Sequence, residues 1–551
     1  MRRSLAAAAL ASLTRLSRQY GSGLASRKLV LLALLARSRL DTAENVRRLH
    51  ELLCFLDAYP DDRRVRRRVR RMLLAFRRRA DLRRHRAALS GSGIAGTDTP
   101  YRFFWPTARW LSDRWPGALR LDRDDPEQVQ ALVDALPLLL DPAQAELQRR
   151  VPHPTLDSLD RLRPHGLGDA DYFISLVSAM PGDDVTREAF FDRIDAPFIL
   201  RSESSTPERT TARLDLARFH AQREPLRRPR PDLRRELRRP PRRVSELGAR
   251  RARELIDLAR TSMATRERDL AVFQFADERD AFVVDDGSGL AFALAGMQPE
   301  RRLPLAAAYG GITLQNGVPI GYVQVDVLGR HAELSFNQFE TFRDGAAAVV
   351  FARFVAMVHH VFHCDRFSIE PYQLGEGNDE GIASGAWWFY RRFGFRPRDP
   401  QVRRIAAREE RRFTRNPRYR SPRRVLRALA KHHLFFAVDG TIPVSLPRTA
   451  AILEAATREL RCFGQPDAKC RHLAAVQAAR AWLKPGGYQV RDARALSQWA
   501  GCVLALARQR GWSSLDRREL ARLIDAKFGR SERIFLRQLL GHARFRKTLG
   551  C

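Results

Sequence analysis

The chain has 551 residues, a formal net charge of +35 and a hydrophobic fraction of 44%. This length is too great for one ordinary domain, and the hydrophobic fraction suffices for real cores, so a single small fold and a wholly disordered chain are both excluded. No apolar run approaches the roughly 18 residues of a membrane-spanning helix. We therefore expect a soluble protein without a transmembrane segment, and we place it in the cytoplasm.

Arginine supplies almost all of the positive charge, since only six of the 98 basic residues are lysine. Arginine use as lopsided as this often reflects a GC-rich coding sequence, which would account for part of the excess. The rest favours weak, salt-sensitive contact with polyanions. The six cysteines show no Cys-x-x-Cys spacing, a pattern typical of free thiols in a reducing compartment.

Composition divides the chain into five parts. Residues 1–40 form a basic N-terminal segment without acidic residues, and residues 41–200 have the apolar spacing of a helical domain. Proline and dense arginine across 201–245 predict a linker, because proline blocks helices and like charges repel. Residues 246–435 hold strand patterns with a basic helical extension, and residues 436–551 predict a helical C-terminal module.

The most cationic predicted helix lies within residues 63–79. Its apolar residues follow helical spacing, so the arginines between them cover the opposite face. The ordinary interpretation is a solvated face. The alternative is a surface that contacts nucleic acid or an acidic membrane.

The centre of the chain changes to short strand patterns. Asn316-Gly317 is a strong hairpin signal between two of them. A long apolar helix, a buried strand and another helix follow, and this order favours an α+β fold built on one mixed sheet. The predicted strands are 271–275, 281–284, 290–294, 311–315, 320–327, 332–339 and 367–369, and the long helix is 346–362.

The stretch 378–395 is the most informative in the sequence. Its small and aromatic residues predict one helix that ends at Gly394, because glycine alone takes the left-handed conformation of a helix C-terminus without strain. The pattern Ala-x-x-x-Tyr-x-x-x-Gly-Phe, which ends at Phe395, resembles the last helix of the GNAT superfamily, the CoA-dependent N-acyltransferases. The resemblance covers about residues 270–400, and it implies a GNAT-like mixed sheet flanked by mainly α-helical N- and C-terminal regions.

The GNAT resemblance also implies a phosphate-binding turn between a strand and a helix, with the pattern Gln/Arg-x-x-Gly-x-Gly/Ala. Gly345-Ala346-Ala347 fits the Gly-x-Ala half, while Phe342 stands at the Gln/Arg position and Arg343 follows one residue later. A helix that begins here would offer free N–H groups and a positive dipole to a diphosphate. The implied co-substrate is acetyl-CoA or another acyl-CoA.

Acyl transfer to an amine needs a base for the ammonium and an acid for the leaving thiolate. The resemblance assigns the acid to Tyr390. Glu333, before the turn, and Glu370, after the strand 367–369, are the candidates for the base; a structural salt bridge is the alternative for each. The family's helix often carries an asparagine seven residues before its tyrosine. Ala383 stands there, and Asn378 is the earlier residue considered as its substitute.

Histidine and cysteine near residue 360 invite a metal interpretation. His359 with His363 and His360 with Cys364 form i,i+4 pairs, but the two pairs point in different directions and HEXXH spacing is absent. We therefore expect no metal.

The sequence thus predicts a multidomain protein whose leading function is CoA-dependent acyl transfer to an unknown amine. One alternative is a GNAT-like domain that uses aminoacyl donors. The other is a non-catalytic basic protein that contacts nucleic acid or acidic surfaces through its arginine-rich helices.

Overall fold

A computed structural model describes residues 2–124, 126–151, 155–216, 218–226, 231–343, 346–441, 446–464 and 467–550. Two hydrophobic cores organise these residues. One core contains only residues of 103–200 together with Ala264, and the other joins residues 6–94 to residues 214–549. The first 94 residues therefore share a core with the central sheet.

The N-terminal region is helical because its apolar residues recur at helical spacing. Thr42 and Asp62 cap the third and fourth helices by accepting hydrogen bonds from backbone N–H groups of their first turns. The helices are α1 (Arg2–Leu16), α2 (Leu24–Arg37), α3 (Ala43–Ala58), α4 (Arg63–Leu74) and α5 (Ala80–Arg84).

The second core belongs to a module in which helices surround a three-stranded antiparallel sheet of order β1-β3-β2. Its first and last strands pair, with Thr99 opposite Leu200. The elements are β1 (Thr99–Tyr101), α6 (Trp105–Arg114), β2 (Leu119–Leu121), α7 (Pro126–Ala135), α8 (Pro142–Arg149), α9 (Asp157–Leu162), α10 (Asp169–Ala179), α11 (Asp184–Ile194) and β3 (Phe198–Leu200).

The central region follows. Its elements are α12 (Leu233–Leu237), β4 (Arg243–Glu246), α13 (Ala249–Ala264), α14 (Ala271–Gln274), β5 (Ala276–Gly287), β6 (Leu290–Met297), β7 (Ala307–Gln315), β8 (Val318–Leu328), β9 (His331–Gln338), α15 (Ala347–Phe362), β10 (Arg366–Ile369), α16 (Pro371–Leu374), α17 (Asp379–Ser384), α18 (Ala386–Arg391), β11 (Arg396–Pro397), α19 (Pro400–Arg415), α20 (Arg423–Ala430) and β12 (Leu434–Ala437).

The C-terminal region is helical. It comprises α21 (Thr449–Arg461), α22 (Ala468–Leu483), α23 (Ala493–Ala507), α24 (Ser514–Phe528), α25 (Glu532–Gly541) and α26 (Ala543–Leu549). Across all described residues, no helix is both long enough and apolar enough to cross a membrane.

The central sheet has nine strands in the order β11-β12-β10-β9-β8-β7-β6-β5-β4. Neighbours from β4 to β9 are antiparallel, β9 and β10 are parallel, and β12 lies antiparallel between β10 and β11. A parallel pair needs a crossover connection, and α15 supplies it. The large mixed sheet with packed helices that the sequence predicts is confirmed.

Side-chain alternation gives the sheet one apolar and one polar face at β8 and β9. On β8, Val323 and Val325 are fully buried, whereas Gln324 and Asp326 are only partly buried. The apolar face packs against α15, where the Phe336 and Phe351 rings lie 5.4 Å apart. The polar face is thus left free of α15 and holds the candidate site.

Two local predictions are wrong. Residues 271–274 form a helix and not a strand, because a short apolar run fits either structure. The single helix expected before Gly394 is two helices, broken at Gly385, which has a positive φ of 66°. Gly394 itself has a φ of 96°, in agreement with the predicted helix end.

Residues 201–245, expected as a linker, contribute α12 and the edge strand β4 to the central region. Arg353 donates hydrogen bonds at 2.9 Å to the backbone carbonyls of Glu236 and Arg239. These contacts attach the segment to α15.

Candidate functional site

Strands β9 and β10 pair over only part of their length, and we call the gap in strand pairing beyond Glu333 the opening. The two parallel strands pair only through three residue pairs, the last of which is Ser368 with Glu333. Strand β9 goes on pairing with β8 as far as Gln338, while β10 ends at Ile369. Beyond Glu333, β9 has no neighbouring strand on this side among the described residues, so its backbone edge faces the opening.

Glu333 lies at the point where the opening begins. Ser368 Oγ donates a hydrogen bond of 3.1 Å to Glu333 Oε2, and His433 Nε2 lies 3.3 Å from the same oxygen. Burial favours the neutral acid, but the interactions with His433 and Ser368 outweigh it and hold the pKa of Glu333 below its usual value. Glu333 is therefore ionised at neutral pH.

Glu370, which directly follows β10, has the opposite electrostatic character. Burial raises its pKa, and the nearby charge of Glu333 raises it further. Two carboxyl groups whose surroundings push their pKa values apart are suited to different roles in proton transfer. The structure thus brings both predicted base candidates to one end of the opening and distinguishes them.

A third carboxyl group joins this cluster and was not predicted. Asp326 on β8 lies directly opposite Glu333. Its pKa is raised to about 6, first by burial and then by the charges of Glu333 and Glu370, against a hydrogen bond of 3.1 Å from Gln324. The alternation of valine with polar residues in 323–327 was the available signal, since it marks a strand with one polar face.

Tyr390 lies on α18 and packs against α15. Its side chain is 3% exposed and its ring meets Phe351 edge-on at 5.2 Å. Burial raises the pKa of Tyr390 above its usual range, and the nearby Tyr322 and Glu370 raise it further. The hydroxyl group therefore keeps its proton at neutral pH and can donate it.

The turn from β9 to α15 carries the predicted phosphate-binding residues. Arg343 Nε donates a hydrogen bond of 2.9 Å to the Gln338 carbonyl, and its guanidinium pairs with Glu380. Ala346 is the N-cap of α15 and Ala347 its first residue, and neither has a side chain that could cap the free N–H groups. Gly345, the remaining predicted residue, lies outside the described residues.

A cationic cavity of about 590 Å³ borders this turn. Its arginines come from the N-terminal helices, the 201–226 segment and the chain after α13, as well as from the turn itself. Arg266 is held over the Phe339 ring at 3.7 Å, and its pKa is lowered to about 9 by burial and by Arg209. The arginines that line the cavity are Arg18, Arg47, Arg48, Arg209, Arg266, Arg268 and Arg343, against Glu44, Glu51, Glu340 and Glu380.

Asn378 is the N-cap residue of α17. Its Oδ1 accepts a hydrogen bond of 3.1 Å from the Gly381 N–H, and its Nδ2 donates one of 3.1 Å to the Tyr372 carbonyl. Its side chain thus caps α17, and a role in binding a co-substrate stays a prediction.

The histidines near residue 360 bind backbone groups. His359 Nδ1 lies 2.6 Å from the Cys364 carbonyl oxygen, and His360 Nε2 lies 2.8 Å from that of Leu237. In the described ranges, no three His, Cys, Asp or Glu side chains gather as a group that could hold a metal ion.

Comparison with known proteins adds no relative: no protein-family model, curated protein or solved structure matches the chain. The function must be argued from the site alone.

Proposed function

We propose that the protein is a GNAT-type N-acyltransferase that transfers an acetyl or other acyl group from CoA to an amine. The observation that carries the proposal is the gap in pairing between β9 and β10, with Glu333 and Glu370 where the pairing ends and Tyr390 close enough to Glu370 for that carboxyl group to raise its pKa. The strand order supports a GNAT-like fold, since β12 is inserted between β10 and β11 after a parallel β9–α15–β10 crossover.

The residues around the opening fit an acyl-CoA. The exposed edge of β9 offers backbone partners for an amide-bearing chain, and the start of α15 with Arg343 and Arg268 suits a diphosphate. When bound, acyl-CoA would supply an acyl group activated as a thioester. The cavity arginines would neutralise its phosphates.

Each catalytic residue has a role that its environment supports. Glu370 takes the proton of the incoming ammonium group, because a carboxylate whose pKa is raised is a stronger base. Glu333 stays ionised beside His433 and attracts the cationic acceptor. Tyr390 gives its phenolic proton to the departing thiolate sulfur, and Asp326 adds to the acidic lining of the acceptor end.

The cationic cavity also favours the aminoacyl donor alternative. Its seven arginines outnumber its four glutamates, and this excess of positive charge would suit the phosphates of a polynucleotide carrier as well as those of CoA. The two donors differ in the carrier and not in the transfer step.

The test is a thermal titration of the full chain with acetyl-CoA, together with measurement of free thiol release in the presence of a panel of amines. A ligand at 100 times its Kd stabilises the native state by about 2.7 kcal/mol, so a bound donor raises Tm. Arg343→Gln should weaken the shift, while Arg193→Gln, an exposed arginine on α11, is the matched control.

Protein that responds neither to acetyl-CoA nor to an aminoacylated carrier, and that releases no thiol with any amine, would refute the enzymatic proposal and favour the non-catalytic alternative. A Tm shift that Arg193→Gln weakens as much as Arg343→Gln would place the donor elsewhere.

A further inference from the structure

The segment between β11 and β12 is longer than the sheet requires. These strands are antiparallel neighbours, with Arg396 opposite Phe435, and a two-residue turn can join such a pair. Residues 398–433 intervene instead and form α19 and α20. Long insertions of this kind at a strand connection are commonly functional.

Helix α19 separates apolar and cationic residues by exact helical spacing. Val402, Ala406, Glu409 and Phe413 form a stripe at i, i+4, i+7 and i+11 that is buried or partly buried. Arg404, Arg408, Arg411 and Arg415 repeat the same spacing two residues later and are all exposed. This second set, the arginine stripe, extends over about 17 Å at 1.5 Å per residue.

The charge of the insertion is largely uncompensated. Glu409 is buried, and Glu410 pairs with Arg391 at 2.8 Å outside the insertion. Eight exposed arginines make no ion pair with any residue that the structure describes: Arg403, Arg404, Arg408, Arg411, Arg415, Arg418, Arg420 and Arg424.

A buried carboxylate holds the loop between the two helices in place. Glu409 is 0% exposed, and its Oε2 accepts hydrogen bonds of 2.8 Å from Tyr419 and 2.7 Å from Ser421. Ser421 in turn accepts one of 3.1 Å from Trp388 Nε1. The loop is therefore preorganised against α18.

A cavity of about 560 Å³ opens beside this loop. Trp388 and Phe413 form its aromatic part, with ring centroids 4.8 Å apart, and Arg391, Arg392 and Arg420 line it as well. An aromatic ring flanked by arginines is the arrangement on which unpaired bases stack, while guanidinium groups contact phosphates.

An acidic membrane fits this surface less well. Interfacial helices insert large apolar side chains, yet none of residues 400–431, all of them described, has an exposed large hydrophobic side chain.

The cationic helix α4 is the surface that the sequence predicts for contact with nucleic acid, but some of its arginines bind other parts of the fold. Arg66 and Arg70 both pair with the buried Asp57, and Arg66 also binds the Asn316 carbonyl at 2.9 Å. Its exposed arginines make α4 a natural control for the insertion.

We infer that the insertion between β11 and β12 binds single-stranded nucleic acid: a base would enter the cavity against Phe413 with Arg391, Arg392 and Arg420 on the adjacent phosphates, and the strand would continue around α19 to the arginine stripe on its other face. This inference is independent of the acyltransferase proposal, since it uses none of the residues around the β9–β10 opening.

The test measures binding of fluorescently labelled oligo(U) and oligo(dT) to the full chain by anisotropy over a range of salt concentrations. Arg411→Glu/Arg415→Glu is compared with Arg67→Glu/Arg71→Glu on α4. Both variants reverse an exposed i,i+4 pair, both include a last-turn arginine, and both change the net charge equally. Loss of two phosphate contacts should reduce the slope of log K against log salt by about 1.4.

Phe413→Leu tests whether a base stacks in the cavity. It should weaken binding of oligo(U) or oligo(dT) roughly 5- to 150-fold and leave binding of an abasic strand of the same length unchanged. Arg420→Gln, at the cavity rim, serves if the leucine variant lowers Tm.

A greater loss of affinity in the α19 variant than in the α4 variant, with either oligonucleotide, supports the inference. The ratio of the wild-type affinities for oligo(U) and oligo(dT) shows whether RNA or DNA is the preferred ligand. Equal loss in both variants would overturn the inference, as would equal binding to a duplex or to phosphatidylserine vesicles.

Discussion

Single residues decide whether the opening between β9 and β10 can catalyse a reaction. Sequence reasoning named Tyr390, Glu333 and Glu370 through a resemblance to one helix and through their positions next to predicted strands. It could not rank the two carboxyl groups, because their difference arises from His433 and Ser368, which approach Glu333 only in the folded chain. Asp326 was missed for the same reason.

Tyr390→Phe should lower the rate of acyl transfer by about 10²–10⁴-fold, because the proton for the leaving thiolate is lost. The phenylalanine ring keeps the contacts with Phe351, so donor affinity should change little. Steady-state kinetics together with a thermal titration separate the two effects. A variant that loses donor binding and rate in parallel would assign Tyr390 to packing alone.

Replacement of the two glutamates should have unequal effects. Glu370→Gln removes the proposed base and should reduce kcat by about 10²–10⁴-fold, while Glu333→Gln should act mainly on KM for the cationic acceptor. Rates measured from pH 6 to 9 check the assignment. The reverse order of effects on kcat would exchange the two roles.

Asp326 should make stability depend on pH. Its pKa is raised to about 6 from the usual 3.8 of an aspartic acid, so the folded state favours the neutral acid. This stabilisation is complete below about pH 4 and is lost as pH rises through 6, by at most 1.36 kcal/mol per pH unit. Asparagine does not titrate, so the Asp326→Asn variant does not lose stability in this way as the pH rises. Its free energy of unfolding relative to wild type should therefore rise by about 2–3 kcal/mol between pH 4 and 6 and then stay constant.

Urea unfolding at several pH values measures this difference, and Asp113→Asn on the exposed surface of α6 controls for the loss of one carboxylate. A difference between Asp326→Asn and wild type that is the same at pH 4 and pH 7 would contradict the prediction.

At the scale of elements, the strands were predictable because alternation and the Asn316-Gly317 turn are local signals. The segment 271–275 was not, since its four apolar residues fit a helix or a strand equally. Residues 201–245 were predicted from composition alone, and composition cannot show that Val244 pairs through its backbone with Val284. The cationic cavity was also hidden, because its arginines are distant in sequence.

The hairpin turn between β7 and β8, which the sequence predicts at Asn316-Gly317, also attaches other parts of the chain to the sheet. The Leu214 N–H donates a hydrogen bond of 2.9 Å to the Gly317 carbonyl, and Asn316 Nδ2 donates one of 2.8 Å to the Ala58 carbonyl. Two distant parts of the chain thus meet at this turn.

Gly317→Ala should be more destabilising than Gly385→Ala. Both glycines have positive φ, of 85° and 66°, which costs an alanine roughly 1–2 kcal/mol. At Gly317 the new Cβ would also lie 2.1 Å from the Leu214 carbonyl oxygen, whereas nothing lies within 4 Å of it at Gly385. Overpacking should add about 1–3 kcal/mol at Gly317.

Chemical denaturation of the two variants provides the comparison, and hydrogen exchange at residues 210–226 should rise only in Gly317→Ala. Equal losses of stability would mean that the segment does not rest on the turn.

At the scale of the whole molecule, the two cores divide the chain differently from its composition. Residues 6–94 share the core of the central sheet; the Phe55 and Phe342 rings, for example, stack at 6.3 Å. The module of residues 99–200 has its own core, and its ends meet because Thr99 lies opposite Leu200. A module with adjacent ends and a separate core has the anatomy of an inserted domain.

The contacts of this module with the rest of the chain are largely polar. Trp110 Nε1 donates a hydrogen bond of 3.1 Å to Asp257, Arg301 pairs with Glu188 at 2.6 Å, and Thr107 donates a hydrogen bond to Asp269. Polar groups left by removal of the module can be solvated, so their exposure costs far less than exposure of a hydrophobic core.

Replacement of residues 100–199 by Gly-Gly-Ser should therefore leave a folded protein. Paired antiparallel residues have Cα atoms about 5 Å apart, a distance that three residues span easily.

Deletion of residues 2–94, of similar length, should instead abolish folding, because it opens the core under the sheet and removes the partners of Asn316. Circular dichroism and size-exclusion chromatography of both deletions provide the measurement. The prediction is contradicted in either of two cases. If both deletions yield soluble, cooperatively unfolding protein, the core of the central sheet does not need the N-terminal helices. If neither does, that core depends on the module of residues 99–200.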